Sequence, residues 1–291
     1  MATANTQDIK RRIRGVSSIE HITNAMKLVS TSKLRRAKMT FEDTREYFHF
    51  ISEAIEDIFN NQEDIPKQYI HEEGDRFNRT CYIAITSNRG LCGSFNSNII
   101  KEVEKEIADD GCKAPALITP IGSKGKEYFQ KRGYEIFDEY LRPPEDTSFI
   151  ETHDISQPII DLYDDGKVDR VVLVYTSFVS SLEQRPKSVQ LLPFEIRYNP
   201  EVMPMDRQVD YDPSPEEVFN YLVPKYVEIM VYGAIVESAT CEHAARRIAM
   251  ESATDNANQM IDELSLSFNR ARQAAITNEI TEIVSGADAL K

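Results

Sequence analysis

Two stretches of this chain place apolar residues at alternating spacings of three and four. Toward the C-terminus, Met250, Thr254, Ala257, Ile261, Leu264, Phe268, Ala271 and Ala275 step 4-3-4-3-4-3-4 within residues 234–285, which hold neither Gly nor Pro. Toward the N-terminus, Leu34, Ala37, Phe41, Thr44, Phe48, Ile51, Ile55 and Ile58 step 3-4-3-4-3-4-3 within residues 16–65, equally without breakers. This alternation is that of a coiled-coil strand. Upstream, the apolar seam reads Ile9, Ile13, Val16, then Ile19, Ile22, Met26 and Val29. Its 3-3 step beside Gly15 demands local overwinding. The pattern predicts one helix over about residues 5–60, roughly 80 Å long. A second starts at Ser214, with Pro215 at the first position and Glu216 and Glu217 following. It runs about 70 residues to Gly286, roughly 105 Å, with Pro224 and Gly233 as the points where it would bend.

Between the helices the period changes. Residues 61–80 are polar and read as a connecting loop. Cys81–Thr86, Ala116–Thr119, Tyr134–Phe137, Asp169–Thr176 and Ser188–Leu192 read as strands, the last one antiparallel if it is hairpin-linked. Helical stretches fall near 95–109, 123–132 and 156–163. Such alternation predicts a small α/β layer with a mostly parallel sheet. Residues 199–215, rich in Pro and Asp, mark the return. The fold class is therefore α/β with long helices. The expected division is 1–60, an N-terminal coiled-coil helix; 61–213, an α/β domain; and 214–291, a C-terminal coiled-coil helix. Two helices of one chain separated by so long an excursion must pair antiparallel.

Charge adds an asymmetry. Nine basic and two acidic residues give the first 38 residues a net charge of +7, leaving −21 for the remainder of a chain whose total is −14. A basic rod joined to an acidic body implies an acidic partner for the rod. The negative mean hydropathy implies a soluble chain, and no stretch approaches the roughly 20 apolar residues of a membrane span. The N-terminus has no apolar h-region, so no secretory signal is expected. Cys81, Cys92, Cys112 and Cys241 are scattered, which argues against a disulfide framework or a zinc site.

Candidate chemistry is sparse. The segment from Thr86 to Asn96, Thr-Ser-Asn-Arg-Gly-Leu-Cys-Gly-Ser-Phe-Asn, follows a strand and opens a helix, where a phosphate loop would sit. It matches neither G-x-G-x-x-G nor G-x-x-x-x-G-K-[ST], and a tight turn is the plainer reading. Neither H-E-x-x-H nor G-x-S-x-G occurs, and no histidine pairs with Cys92 in any recognisable spacing. The basic helix lacks the aromatic interleaving of a single-strand binder. It also lacks the parallel zipper of a dimeric DNA reader, so nucleic acid is not expected. An α/β nucleotide-binding enzyme with helical oligomerisation arms stands as the alternative to a mechanical role.

Three long motifs carry a family resemblance over the whole chain, in order. They are Asp8-Ile-Lys-Arg-Arg-Ile with His21-Ile-Thr-Asn-Ala-Met-Lys-Leu-Val-Ser-Thr-Ser-Lys-Leu-Arg-Arg-Ala; Ser87-Asn-Arg-Gly-Leu-Cys-Gly-Ser-Phe-Asn-Ser-Asn-Ile; and Glu242-His-Ala-Ala-Arg-Arg-Ile-Ala-Met-Glu-Ser-Ala-Thr-Asp-Asn-Ala with Asn269-Arg-Ala-Arg-Gln-Ala-Ala-Ile-Thr-Asn-Glu-Ile-Thr-Glu-Ile-Val-Ser-Gly-Ala. Together they resemble the γ subunits of F-type ATP synthases, bacterial type. The resemblance implies an antiparallel coiled coil of the terminal helices plus a Rossmann-like α/β domain. It also implies a rotor shaft that couples c-ring rotation to the catalytic β subunits of an α3β3 hexamer without being catalytic itself. Its expected partners are that hexamer, the ε subunit and the c-ring. No cofactor, metal or small-molecule ligand is expected, and membrane association would be indirect, on the cytoplasmic face of the cell membrane. By matching motifs, Met26, Lys27, Lys33, Arg246, Arg247, Arg272 and Gln273 would meet β. Ile280, Ile283, Val284 and Leu290 would form an apolar bearing tip. The dithiol insertion of plastid relatives is absent.

Overall fold

The computed structural model describes residues 2–60, 69, 77–194 and 214–289. Most of the 61–80 loop, the 199–213 return and Leu290 lie outside the described residues. The elements in chain order are α1 (Ala2–Asn60), β1 (Thr80–Ile85), α2 (Phe95–Asp110), β2 (Leu117–Ile121), α3 (Ser123–Lys131), β3 (Glu135–Ile136), α4 (Phe149–Asp164), β4 (Arg170–Phe178), β5 (Gln184–Leu192) and α5 (Pro215–Ala289). They form two compact units. One comprises residues 32–245; the other pairs residues 1–31 with 246–291.

The larger unit is built on a five-stranded sheet in the order β3-β2-β1-β4-β5. β1 lies parallel to β2 and β4, and β2 parallel to β3, while β5 returns antiparallel along β4. Every residue of β1 and β2 is buried, as expected when helices cover both faces. The period-2 alternation sorts their side chains. Tyr82 and Ala84 point to the face covered by Ile99, Val103 and Phe129 of α2 and α3. Cys81, Ile83 and Ile85 point to the face covered by Ile155 and Ile159 of α4 and by Val223, Val227, Val231 and Ile235 of α5.

Two elements begin earlier than their apolar patterns suggest. α4 starts at Phe149 instead of Ser156 because Ser148 and Glu151 form a capping box: each accepts from the other's backbone N–H. Ile150, 82% exposed, hides this start from a hydrophobic reading. β5 starts at Gln184 because an edge strand tolerates the polar run Gln-Arg-Pro-Lys, proline included. α5 begins where expected, with the Ser214 hydroxyl accepting from the Glu217 N–H at 3.3 Å, and stays helical across Pro224 and Gly233.

At the opposite end of the sheet from the β1–α2 turn, Asp110 closes α2 against β1 and β4. Its Oδ1 accepts from Arg170 at 2.5 Å; its Oδ2 accepts from Thr80 Oγ1, Tyr82 OH and Cys112 Sγ. Burial opposes ionisation of Asp110, but these donors and the Arg170 charge outweigh it and hold the carboxyl below its ordinary value.

The smaller unit is an antiparallel helix pair. Thr23 Oγ1 meets Thr254 Oγ1 at 2.8 Å in a buried contact, and the α5 side of the seam is the one the spacing predicts: Met250, Thr254, Ala257 and Ala275 are buried, and Ile261, Leu264, Phe268 and Ala271 are half-buried. The α1 side differs from expectation. It does not drift through Ile19, Ile22 and Val29, which are 55%, 58% and 58% exposed. It keeps an unbroken 4-3-4-3-4-3 register through Ile9, Ile13, Val16, Glu20, Thr23, Lys27 and Ser30. Thr23 and Ser30 are tolerated there because their hydroxyls have partners, and Glu20 and Lys27 are only half-buried. Thr23 donates back to the Glu20 carbonyl and Ser30 to the Met26 carbonyl. Holding the phase of the partner helix therefore prevails over following the apolar residues. From the Thr23–Thr254 level, Ala2 comes level with about residue 275; residues 276–285 are exposed throughout.

Two outcomes follow. Thr23→Val alone should cost about 1 kcal/mol, because it removes the hydrogen bond between the two hydroxyls and leaves the Thr254 hydroxyl, held only by the Met250 carbonyl, against a methyl group at the seam, while the Thr23→Val/Thr254→Val pair should recover most of that loss; denaturant unfolding of the three variants measures the cycle. Arg170→Met should cost about 3 kcal/mol or more by leaving Asp110 buried without its cation. Since the folded-state pKa of Asp110 is depressed, its contribution is full above the unfolded value, 3.8, and disappears as pH falls through the lower folded value. Stability curves of wild type and Arg170→Met should thus converge in strong acid.

Candidate functional site

The residues singled out by motif fall into three groups on the helix pair, with Lys33 apart from them. Met26 and Lys27 are half-buried neighbours on α1, and Arg246 and Arg247 are neighbours on α5. The antiparallel register sets Met26 level with about residue 251, so Arg247 lies about one helical turn away along the axis. Arg246 is 8% exposed, and Arg247 is paired with Glu251 at 3.0 Å. Arg272 and Gln273 are exposed and lie about 30 Å further along the pair. Ile280, Ile283 and Val284 are exposed in the segment that extends past α1. Lys33 belongs to the larger unit, on the exposed side of α1 there.

The outward apolar residues of the helix pair go beyond the tip residues Ile280, Ile283 and Val284 that the motifs single out. Ile19, Ile22, Leu28 and Val29 on α1, with Met260, Leu266, Ile276, Ile280, Ile283 and Val284 on α5, are between 48% and 72% exposed. A helix pair that needs only its own seam would carry polar residues at these positions. The sequence signal for them was present, since Ile19, Ile22 and Val29 break the heptad phase; it was read as drift of the seam.

The second candidate is the crevice at the C-terminal ends of β1 and β4, where the strand order reverses and where ligands of open α/β sheets bind. The Thr86–Asn96 segment turns there with Leu91 at φ +63° and Gly93 at φ +59°. Its polar groups are spent within the fold. Asn96 Oδ1 accepts from the Ser87 N–H at 2.9 Å, and Asn96 Nδ2 donates to Ser87 Oγ at 2.7 Å. Asn88 Oδ1 accepts from the Ser123 N–H at 2.7 Å, the group at the start of α3, and Asn88 Nδ2 donates to the Leu141 carbonyl.

The crevice is filled by α5. Cys241 is buried against Cys92 and Phe95, with Ala245 and Phe178 packed alongside. Glu237 Oε1 accepts from Ser177 Oγ at 2.8 Å and from the Phe178 N–H at 2.7 Å; Ser238 Oγ accepts from the Thr176 N–H, and Cys241 Sγ donates to the Thr176 carbonyl. A ligand at the switch point would meet this helix. The Cys241 thiol offers little nucleophilicity. Burial pushes Cys241 well above the ordinary thiol range, and on the neighbouring strand Cys81 is pushed up to about 12 by the same cause. Among the described residues, no three His, Cys, Asp or Glu side chains are grouped to hold a metal ion, and no helix is long and apolar enough to cross a membrane.

These features, a covered α/β switch point and an antiparallel pair of long terminal helices, coincide with one family. The family model described as ATP synthase matches residues 5–290. An ATP synthase gamma chain of Alkaliphilus metalliredigens (strain QYMF) is 47% identical over 289 residues, 98% of each chain. A sodium-ion-specific ATP synthase gamma chain of Acetobacterium woodii is 40% identical over 303 residues, 98% of this chain and 99% of that one. Among solved structures, a chain from the central stalk and c-ring of the Tetrahymena thermophila mitochondrial ATP synthase aligns with a TM-score of 0.62 at 26% identity, over 80% of this chain and 99% of that chain. The chain belongs to the ATP synthase gamma-chain family.

The close approach of α3 to the Thr86 turn yields a discriminating outcome. A Cβ on Gly122, whose φ is +100°, would lie 2.2 Å from the Thr86 backbone oxygen; one on Gly125 would meet only the Thr86 side chain, at 2.8 Å. Gly122→Ala should cost about 3 kcal/mol or more through strain and overlap, with or without Thr86→Ala. The cost of Gly125→Ala should shrink in the Thr86→Ala background. Denaturant unfolding of the two double-mutant cycles distinguishes them.

Proposed function

We propose that this chain is the central rotor shaft of an F-type ATP synthase. It turns with an ion-driven c-ring and drives the β subunits of an α3β3 hexamer through their catalytic states, in synthesis and, reversed, in hydrolysis. The observation that carries this reading is the outward apolar surface of the helix pair, from Ile19 to Val29 on α1 and from Met260 to Val284 on α5. Such side chains suit a shaft enclosed by a sleeve of other subunits. Family membership and the named central stalk of the Tetrahymena enzyme support it.

In this reading the chain makes no covalent chemistry. Residues 1–60 and 214–291 supply the shaft, and residues 61–213 the foot that meets the ε subunit and the c-ring, on the cytoplasmic side of the cell membrane. Coupling is by differential contact: a β conformation is favoured by the shaft face it meets, and rotation changes the face. Met26, Lys27, Lys33, Arg246 and Arg247 form the lower contact with β, Arg272 and Gln273 the upper one. Ile280, Ile283, Val284 and Leu290 form the apolar tip. The basic charge of the N-terminal 38 residues matches an acidic partner surface. The filled switch-point crevice speaks against the alternative of a nucleotide-binding enzyme.

Met26→Lys tests the coupling role. Met26 is half-buried beside Lys27, so an added ammonium would reach a passing carboxylate. An exposed ion pair contributes about 0.2–1 kcal/mol, and more when desolvated; favouring one rotary position by that amount should lower proton or sodium pumping per ATP while hydrolysis persists. Both are measured in membrane vesicles carrying the assembled enzyme. Unchanged pumping per ATP, or failure of the hexamer to assemble around the variant, would remove Met26 from the coupling set.

A further inference from the structure

β4 runs on to Phe178, past Val174, the last residue it pairs with β1. Beyond that point α5 takes the place of a neighbouring strand. Ser238 Oγ accepts from the Thr176 N–H at 3.3 Å, and Cys241 Sγ donates to the Thr176 carbonyl at 3.4 Å. Glu237 Oε1 accepts from the Phe178 N–H at 2.7 Å and from the Ser177 hydroxyl at 2.8 Å. Phe178 also meets α1: its ring centre lies 6.0 Å from that of Phe41, edge to face at 65°. One residue at the end of the sheet thus touches both terminal helices.

The apolar part of the α5 contact resists sliding less sharply than these bonds do. Val223, Val227, Val231 and Ile235 follow one another at four-residue spacing and lie in the core. Apolar burial is non-directional, and packed helices shift past their neighbours by small slides or by a full turn of about 5.4 Å. Directional bonds fix a helix in rotation and in height. Glu228 makes one to α4, its Oε1 lying 2.7 Å from His153 Nδ1, about 14 Å from Glu237 along the axis. The cluster at Glu237 differs in kind. Three of its four bonds end on the main chain of β4, which has no rotamer to yield.

We infer that Glu237 is a positioning residue for coupling. It keys α5 to the sheet close to where the helix leaves the 32–245 unit, so that rotation imposed on that unit passes into the helix without slip. This role rests on the rotor reading, and it names the point where torque crosses from sheet to helix.

The assembled enzyme in membrane vesicles tests this role, with ATP hydrolysis and ions pumped per ATP both measured per assembled complex. Glu237→Ala should lower pumping per ATP about twofold or more once an opposing gradient has built up, while hydrolysis persists. Glu237→Gln should restore pumping, because its amide oxygen accepts the same two bonds. Ser177→Ala, which leaves the Phe178 N–H on Glu237, should fall between the two. A structural role alone would lower hydrolysis and pumping together, through fewer assembled complexes, and leave their ratio unchanged; that result overturns the coupling role. A Gln variant as poorly coupled as the Ala variant overturns it too. If Glu237→Ala does not assemble, Ser177→Ala decides, and unchanged pumping per ATP in that variant overturns the role. Wild-type complexes that hydrolyse ATP without pumping overturn the rotor reading itself, and the role of Glu237 falls with it.

Discussion

Two helices in water stay paired only while both present a stripe at the same pitch, and in this chain that requirement overrides the choice of side chains. The α1 seam keeps its phase through Glu20, Thr23, Lys27 and Ser30, although Ile19, Ile22 and Val29 lie one residue away from an apolar alternative. Following those residues would rotate the contact stripe out of line with Met250, Thr254 and Ala257. Hydroxyls are suited to holding the phase. They are small, each has a carbonyl of its own helix within reach, and when two face each other one can donate across the seam while the other donates back to its own helix, so no proton is stranded. The apolar residues released from the seam become surface.

The α/β unit shows a related displacement of roles. Its sheet has the topology in which a strand-order reversal opens a ligand crevice, and a turn follows β1 where phosphates are commonly held. Both features are turned inward. The turn's amide and hydroxyl groups bind one another and α3, and the crevice takes Cys241 and Ala245 of α5, fixed by Glu237 on the end of β4. The same helix that supplies half of the coiled seam thus also serves as the permanent occupant of the switch point. A fold known for binding nucleotides here binds a piece of its own chain, which is a reminder that topology licenses a site without requiring one.

Much of this was legible in the sequence wherever periodicity and breakers agree. The long helices, the parallel strands and the α5 seam follow from spacing alone, and the antiparallel course of β5 follows from its hairpin link to β4. The misreadings have a common cause. A hydrophobic reading assigns apolar residues inward and polar ones outward, so it moved the α1 seam onto Ile19, Ile22 and Val29. It also delayed α4 past exposed Ile150 and shortened β5 by its polar edge. The Ser148–Glu151 capping box was visible as a motif and outranks the pattern. The motif-based coupling residues came from family likeness, since nothing in the spacing of Met26, Arg247 or Gln273 marks them out. The filling of the crevice by Cys241 could not be read from sequence, because it depends on where a distant helix lies over the sheet.

The outward isoleucines and leucines of the helix pair also bear on the life of the chain before assembly. Among the described residues folding does not conceal them, because the two helices of the pair meet on the other side. A newly made copy therefore enters a crowded cell with a sticky surface fully formed. What keeps copies apart is charge: the −21 carried beyond the first 38 residues makes like bodies repel, while the +7 end can be drawn to the acidic body of another copy. Both effects weaken as salt rises, because surface charges are screened.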